Sequence, residues 1–211
     1  MKYIIVANGT IKKDDYFRKM LNKADMIVCA DGGAKHLERM EIIPDIVIGD
    51  LDSMDQYAEI FVKKNRVRII KHPPKKNASD TELAALWAIE NQASDITIIG
   101  ATGTRLDHSL ANIFLMRKIA LTGISCRIID DNNEIYLVSE SLTLKGSPGD
   151  LLSIIPVTEK VTGLTVKGVE YPLLNAEISM GSSLGISNCF TESQAVITIK
   201  TGVLIVTKSK D

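Results

Sequence analysis

The stretch PDIVIGDLDS, residues 44–53, joins an apolar, β-branched run to a glycine and two aspartates. Ile46 to Ile48 have the composition of a strand that is buried on both faces, and such strands occur in parallel sheets. Asp50 and Asp52 follow this run at positions i and i+2, where unpaired carboxylates repel each other and resist losing water. The stretch therefore predicts a strand of a parallel sheet that ends at a site for a cation.

The first 130 residues repeat this strand-like pattern and alternate it with amphipathic segments. Strands are predicted at 2–7, 26–30, 45–49, 67–70, 95–100 and 125–130, and helices at 13–23, 33–41, 54–65, 79–93 and 106–121. Ser79 and Glu82 have the spacing of a capping box at the start of the fourth helix, and Gly123 suits a left-handed cap after the fifth. The alternation predicts an α/β fold with a mostly parallel sheet flanked by helices.

From residue 133 the pattern changes to short β-branched segments that are separated by Gly, Pro and Ser. The predicted strands are EIYLVSE, LTLKG, DLLSIIPV, GLTVKGV, SSLGISN, QAVITIK and GVLIVTK, and residues 200–203 are expected to form a hairpin turn between the last two. We therefore expect two domains. An α/β domain covers 1–132, and a smaller all-β sandwich covers 133–211.

The overall composition excludes several classes of partner. The chain has 25 basic and 26 acidic residues, so it lacks the charge that binding to nucleic acid or to an anionic membrane surface requires. Its apolar runs are too short to cross a bilayer. Cys29, Cys126 and Cys189 are odd in number and widely separated, which is typical of reduced thiols, and we expect a cytoplasmic protein.

Acidic residues follow three of the predicted strands. Asp31 follows the second strand, Asp50 and Asp52 follow the third, and Asp80 lies in the first turn of the helix after the fourth. Ligands of open α/β sheets bind outside the carboxyl ends of the strands, so these four acids should converge on one edge. In an extended chain, Asp50 and Asp52 would point to the same side with Cα atoms about 6.5–7 Å apart. Carboxylates and substrate phosphates are the ligands that Mg²⁺ prefers.

A structural alternative exists for each of these acids. Asp52 or Ser53 could cap the helix that is predicted to begin at residue 54, and Asp80 could be favoured by the helix dipole. A basic cluster, HPPKKN at 72–77, follows the fourth strand and could meet an anion at the same edge or remain a solvated loop.

The stretch GATGTRLDHSLAN, residues 100–112, has the character of a phosphate-binding loop. Gly100 and Gly103 leave room for backbone amides to approach a phosphate, and the helix that follows favours anions at its N-terminus. Arg105 adds a planar cation that suits phosphate oxygens. The stretch is neither a Walker A loop nor a G-x-G-x-x-G motif. Asp107 could instead complement the helix dipole, and His108 could be a half-buried structural ring.

Taken together, CADGGAKHL, PDIVIGDLDS, SDTELAAL and GATGTRLDHSLAN resemble the thiamine pyrophosphokinase family, in their order and in their spacing. The C-terminal stretches VTGLTVKGVEYPL and GSSLGISN resemble that family more loosely. The resemblance implies transfer of the pyrophosphoryl group of ATP to the hydroxyl of thiamine, with Mg²⁺ as cofactor and AMP as the second product. It also implies a homodimer whose active site lies where the α/β domain of one subunit meets the β domain of the other.

The resemblance assigns roles to individual positions. The implied catalytic acids are Asp31, Asp50, Asp52 and Asp80, of which Asp50, Asp52 and Asp80 hold the metal. The implied nucleotide-binding residues are Gly100, Thr102, Gly103, Arg105, Asp107 and His108, and the implied thiamine-binding residues are Ser187 and Asn188. Asp52 and Asp80 are both candidates for accepting the hydroxyl proton. Two other functions stay open, namely a pyrophosphokinase of another small alcohol and a non-catalytic nucleotide- or thiamine-binding module.

Overall fold

The computed structural model describes residues 1–73 and 77–210. The chain divides into two compact units, Met1–Asp131 and Asn132–Asp211, and each is described by itself. Lys75 and Lys76 of the basic cluster lie outside the described residues. Among the helices that are described, none combines the length and the apolar character that crossing a membrane requires.

The first unit alternates strands and helices as the sequence predicts. In its described part the strands are β1 Lys2–Val6, β2 Met26–Ala30, β3 Ile46–Gly49, β4 Arg68–Lys71, β5 Asp95–Ile99 and β6 Ser125–Ile129. The helices are α1 Asp14–Leu21, α2 Ala34–Arg39, α3 Gln56–Lys64, α4 Asp80–Glu90 and α5 Leu106–Ala120, and a single 3₁₀ turn, Asp31–Gly33, joins β2 to α2. The predicted α/β fold class is confirmed.

The strands of this unit form a parallel sheet in the order β6-β5-β1-β2-β3-β4. The chain moves outward from β1 through β2 to β4 and then returns to the other side of β1 with β5 and β6. The gap beyond the ends of β1 and β5 is therefore the topological switch point, where open α/β sheets bind ligands. The loops after these two strands are joined, because Gly9 N donates to Gly100 O and Thr10 N to Thr102 O, each over 2.7 Å.

Helix caps decide one of the structural alternatives. Helix α3 begins at Gln56, and its cap is Asp55, whose side chain accepts a hydrogen bond from Ala58 N over 2.9 Å. The structural alternative in which Asp52 or Ser53 caps this helix is therefore wrong, because the helix starts two residues later than the apolar pattern indicated.

Helix α4 has half of the predicted capping box. Ser79 accepts a hydrogen bond from Glu82 N over 3.2 Å, as the box requires. The carboxylate of Glu82 forms an ion pair with Lys118 at 2.7 Å instead of returning to the backbone of Ser79. Lys118 of α5 thus pairs with the Glu82 carboxylate that the capping box would have used.

The second unit is built from antiparallel strands. They are β7 Asn133–Val138, β8 Ser141–Lys145, β9 Leu151–Pro156, β10 Lys160–Lys167, β11 Leu173–Ser179, β12 Asn188–Cys189, β13 Gln194–Thr198 and β14 Leu204–Ser209. Within this unit β12-β9-β14-β7 and β11-β10-β13-β8 form two antiparallel groups. Leu152 and Val206 of one group and Val166 and Ile197 of the other are buried in one core. The predicted all-β sandwich is confirmed.

Three details of the second unit differ from the prediction. SSLGISN forms turns, and only Asn188 of that stretch belongs to a strand, whereas the strand β11 was not predicted. Residues 200–203 do not form a hairpin, because β13 and β14 lie in different sheets. Both strands alternate apolar and polar residues toward the same core, and this alternation is identical whether two strands pair side by side or face each other across a sandwich. The segment is held instead by Thr162, whose hydroxyl lies 2.7 Å from that of Thr201.

Candidate active site

Three carboxylates meet at the ends of β2 and β3. One oxygen each of Asp31, Asp50 and Asp52 lies within 4.8 Å of the others, and this is the group with metal-binding spacing among the described residues. We call these residues the acidic cluster. Asp31 follows β2, and the other two follow β3, the next strand in the sheet. The parallel strands thus bring acids from separate segments to one edge.

The chain between Asp50 and Asp52 is not extended. Leu51 has a φ of +72°, which is rare for a bulky residue, and Asp52 N lies 3.4 Å from the Asp50 carboxylate. The expected extended geometry is therefore wrong, and a left-handed turn brings the carboxylates together instead. Such a conformation costs about 1–3 kcal/mol and occurs where the surrounding structure imposes it, often at functional sites.

Asp31 is the buried member of the acidic cluster. Its side chain is 2% exposed and its φ is +41°. One carboxylate oxygen accepts a hydrogen bond from Ser53 N over 3.2 Å, and the other is buried without a partner in the part of the chain that the structure describes. Burial, followed by the charges of Asp80 and Asp50, raises the pKa of Asp31, and the hydrogen bond from Ser53 opposes this shift.

Gly49 lets the acids approach each other. A Cβ atom added there would lie 2.7 Å from the Cβ of Asp31 and 3.1 Å from a carboxylate oxygen of Asp80. Asp80 is the first residue of α4 and lies outside the acidic cluster as defined by the 4.8 Å spacing. All four predicted acids therefore share this edge of the sheet, and three of them have the spacing of metal ligands.

A cavity of about 380 Å³ opens beside the acids at the switch point. Asp31 and Asp80 line one part of it, and the loops after β1 and β5 line another. These loops approach so closely that a Cβ atom on Gly9 would lie 2.2 Å from Thr102 O and 2.4 Å from Gly100 O. Only a glycine fits at this point, so the backbone of the two loops forms this part of the cavity wall.

Side chains of α5 hold the loop after β5 in shape. Asn112 donates to Ala101 O over 2.7 Å. The hydroxyl of Ser109 accepts a hydrogen bond from Gly103 N over 3.2 Å and donates to Arg105 O over 3.0 Å. Both side chains are nearly fully buried, so these contacts are shielded from water.

Thr102 is fixed from the other side of the same loop. Its hydroxyl donates to the carboxylate of Asp130, just beyond β6, over 2.9 Å. The predicted residues Gly100, Thr102 and Gly103 all line the cavity.

Arg105, Asp107 and His108 are more exposed than the rest of the site. Arg105 forms two hydrogen bonds to Asp107, of 3.2 and 2.6 Å, and both side chains are more than 60% exposed. This pair raises the pKa of Arg105 and lowers that of Asp107. Arg105 and His108 line the cavity, and Asp107 does not contribute to its wall.

Ser187 and Asn188 lie in the second unit. Asn188 is buried, and its side-chain oxygen accepts hydrogen bonds from Tyr171 N and Cys189 N, while its nitrogen donates to Tyr171 O over 2.9 Å. This amide thus braces the backbone and keeps one N–H for another partner. Ser187 is exposed and has a φ of +57°.

Several residues that line the cavity were not predicted from the sequence, among them Asn8, Thr10 and Lys35. Asn8 and Thr10 directly follow β1, and Lys35 is the second residue of α2. The signal for the first two was available, because every parallel strand ends at the same edge, but the Asn8–Gly9 pair reads locally as an ordinary turn.

Comparison with family models gives two matches along the chain. The model for the catalytic domain of thiamin pyrophosphokinase matches residues 17–128, and the model for its vitamin B1 binding domain matches residues 139–206.

Individual proteins with this name are similar over most of the chain. A thiamine pyrophosphokinase of Bacillus subtilis is 36% identical over 183 residues, which is 86% of both chains, and thiamine pyrophosphokinase 3 of Oryza sativa is 25% identical over 207 residues, 86% of this chain and 77% of its own. A solved thiamine pyrophosphokinase from Bacillus subtilis has a TM-score of 0.90 at 31% identity and full coverage of both chains. One from Geobacillus thermodenitrificans has a TM-score of 0.85 at 31% identity and covers 100% of this chain and 98% of its own.

Proposed function

Because the chain belongs to the thiamin pyrophosphokinase family, we propose that the cavity beside its acidic cluster is where the pyrophosphoryl group of ATP is transferred to thiamine. The resemblance seen in the sequence is confirmed, and the protein is an enzyme of this class with thiamine and ATP as substrates.

The observation that carries this proposal is the acidic cluster itself. Three carboxylates from two strand ends converge within 4.8 Å, and one oxygen of the buried Asp31 has no partner among the described residues. Ionised carboxylates at this spacing repel each other, and a buried one loses its hydration. A divalent cation relieves both penalties, and an all-oxygen ligand set suits Mg²⁺.

We therefore assign Mg²⁺ to the acids at this edge. Asp50 and Asp52 present carboxylates at the end of β3, Asp31 contributes its unpartnered oxygen, and Asp80 stands across Gly49 from Asp31. The bound cation would neutralise charge on the phosphate oxygens during transfer.

The chemistry is an in-line displacement at the β-phosphorus of ATP. A bond forms between the hydroxyl oxygen of thiamine and this phosphorus, the bond to the bridging oxygen of AMP breaks with its electron pair, and the hydroxyl proton passes to a carboxylate of the site. Arg105 and the backbone groups of the Gly100–Gly103 loop steady the phosphate oxygens on which charge builds up. Ser109 and Asn112 maintain the shape of that loop from below.

Ser187 and Asn188 are proposed to contact thiamine. Asn188 has one amide N–H to offer, and Ser187 has an exposed hydroxyl beside it. We further propose a homodimer in which a second copy completes the site, and exposed apolar side chains such as Leu106, Leu110 and Phe114 of α5 support association of copies. The three free cysteines fit the reducing conditions of the cytoplasm, where we place the enzyme.

Product analysis tests the reaction. Purified protein is incubated with ATP, Mg²⁺ and thiamine, and the nucleotides and thiamine phosphates are separated and quantified. The proposal requires AMP and thiamine diphosphate in equal amounts and no product when thiamine is omitted. Formation of ADP, transfer to another small alcohol in preference to thiamine, or binding without turnover would contradict it.

Complementation tests the shared site. The proposal predicts that the variant Asp50→Asn is inactive, and that the double variant Ser187→Ala/Asn188→Ala is inactive too. Mixing the two denatured variants before refolding should restore part of the activity, because a dimer with one copy of each contains one intact site. A mixture that stays inactive would contradict the dimer proposal. So would a fully active protein whose molar mass in light scattering is that of a monomer.

A further inference from the structure

Lys35 occupies a position in the cavity that no part of the proposed reaction yet uses. It is the second residue of α2, four positions after Asp31, and its half-buried side chain lines the cavity together with Asp31, Asp80 and the loop after β5. Its ammonium nitrogen lies 3.4 Å from the carbonyl oxygen of Asn8, in the loop after β1. Lys35 therefore belongs to the segment that carries Asp31, and its ammonium group contacts the loop after β1 at the switch point.

The two long cations of the cavity differ in what they contact. Two N–H donors of Arg105 form hydrogen bonds to the carboxylate of Asp107, of 3.2 and 2.6 Å. Lys35 has no carboxylate within 4.0 Å among the described residues, and its one hydrogen bond is at the long limit of such contacts. An ammonium group has three N–H donors, and the hydrogen bond to Asn8 O uses one of them.

Lys35 has no ion-pair partner among the described residues, so its charge is available to an anion that enters the cavity. The neighbouring acids are assigned to Mg²⁺ in the proposed reaction, and Lys35 forms no ion pair with them among the described residues. A phosphate oxygen is the anion that this reaction brings to the cavity, and a compact ammonium group binds phosphate as a point charge.

We propose that Lys35 binds the pyrophosphoryl portion of ATP, the part that is transferred, and that it thereby makes the site prefer ATP to the product AMP. This inference rests on the proposed function, because it takes the nucleotide from that reaction. The position of Lys35 supports the assignment to the transferred portion, since it lies on the same segment as Asp31, whereas Arg105 approaches the cavity from α5.

The site therefore has two separate cations for one nucleotide. Lys35 interacts with the β- and γ-phosphates near the metal-binding acids, and AMP, which lacks both phosphates, does not gain this interaction. Loss of the contact after transfer weakens the hold on the nucleotide at the stage when AMP must leave.

The test is direct binding of nucleotides by calorimetry, in the presence of Mg²⁺ and without thiamine. Lys35→Met should weaken ATP binding by at least about tenfold, the range of one charge-assisted hydrogen bond, while AMP binding stays within about twofold. Lys35→Arg should recover part of the ATP affinity because it keeps the charge. Lys64→Met, which removes an exposed charge at the end of α3, should leave both affinities unchanged.

Two outcomes would overturn the inference. One is an unchanged ATP affinity in Lys35→Met, and the other is an equal loss of ATP and AMP affinity, which would place the lysine away from the transferred phosphates. The proposed function is judged separately by the products of the wild-type protein. Wild-type protein that binds ATP but forms no thiamine diphosphate would contradict that function, and the comparison of ATP with AMP would still decide the role of Lys35.

Discussion

Gly49 and Asp31 lie so close that a methyl group on the glycine would stand 2.7 Å from the Cβ of the aspartate. The backbone of Asp31 has a φ of +41°, and the residue is almost completely buried, so it has little freedom to move away. The narrow end of β3 is therefore what allows an acid from β2 to join the two acids that follow β3.

Gly49→Ala should displace Asp31 from the acidic cluster. We expect kcat to fall by at least about tenfold, because small displacements of catalytic groups have large effects on rate, and the free energy of unfolding to fall by about 1–3 kcal/mol. Steady-state kinetics and denaturant unfolding measure the two effects. Gly149→Ala is the control, since a Cβ atom there meets nothing within 4 Å and only its φ of +92° is strained; it should lose stability and retain kcat. Full activity in Gly49→Ala would show that the position of Asp31 is unimportant.

Asp52 and Asp55 should separate function from helix capping. Asp55→Ala removes the cap of α3 and should cost about 1 kcal/mol of stability while leaving turnover unchanged. Asp52→Ala should abolish turnover without lowering the free energy of unfolding, because it removes charge repulsion from the cluster. Thermal unfolding and product formation are measured for both variants. If Asp52→Ala were unfolded while Asp55→Ala stayed folded, Asp52 would have a structural role instead of a functional one.

Asn112 should affect nucleotide binding through the loop after β5. Asn112→Ala leaves Ala101 O without its donor, so the loop loses its fixed shape, and we expect the KM for ATP to rise by about tenfold with a stability loss of about 1–3 kcal/mol. Asn91→Ala breaks a comparable amide-to-carbonyl hydrogen bond, of 2.8 Å to Trp87 O, at the end of α4. That control should lower stability and leave the KM for ATP as it is. Equal effects of the two variants on KM would mean that Asn112 has no specific role in the loop.

His36 should make the stability of the first unit depend on pH. Its Nε2 lies 2.9 Å from Gly9 O, so Nε2 carries the proton, and its buried Nδ1 has no partner in the described part of the chain. Burial is the main cause that lowers the pKa of His36 to about 4. Between about pH 4 and 6.5 the unfolded chain binds a proton that the folded chain does not, so stability falls as the pH decreases through this window and is constant above it.

The expected loss of stability at His36 is about 3 kcal/mol at most across that range. His36→Gln keeps a donor for Gly9 O and cannot titrate, so its free energy of unfolding should lack this part of the pH dependence. Denaturant unfolding at a series of pH values measures the difference. Parallel curves for the two proteins would contradict the assigned burial of a neutral ring.

The parallel sheet of the first unit could be predicted because its strands are buried on both faces and therefore read as continuous Ile and Val runs, as at Ile46–Gly49. The direction of those strands then placed Asp31, Asp50, Asp52 and Asp80 at one edge, which is where the structure has them. Local pattern and global topology agree here, so sequence reasoning succeeds.

Other features depend on contacts between distant segments and are absent from the local pattern. The left-handed conformation of Leu51 is imposed by its surroundings, since nothing in its residue type favours it. β14 lies in the other sheet, opposite β13 and not beside it. Its position depends on its pairing with β7 and β9, which are distant in the sequence. Lys35 lines the cavity from the start of α2, which follows the 3₁₀ turn after β2, and a lysine near a helix start gives no signal of a cavity by itself.

The central claim is that carboxylates at the ends of β2 and β3 hold the divalent cation of the reaction. Mn²⁺, which is paramagnetic and replaces Mg²⁺ at oxygen sites, can be titrated into the protein in the presence of ATP, and free Mn²⁺ can be followed by electron paramagnetic resonance. The account predicts that the folded wild-type protein binds Mn²⁺ at least about tenfold more tightly than Asp50→Asn or Asp52→Asn, each of which removes one charged ligand. Equal Mn²⁺ affinity in all three proteins would contradict it.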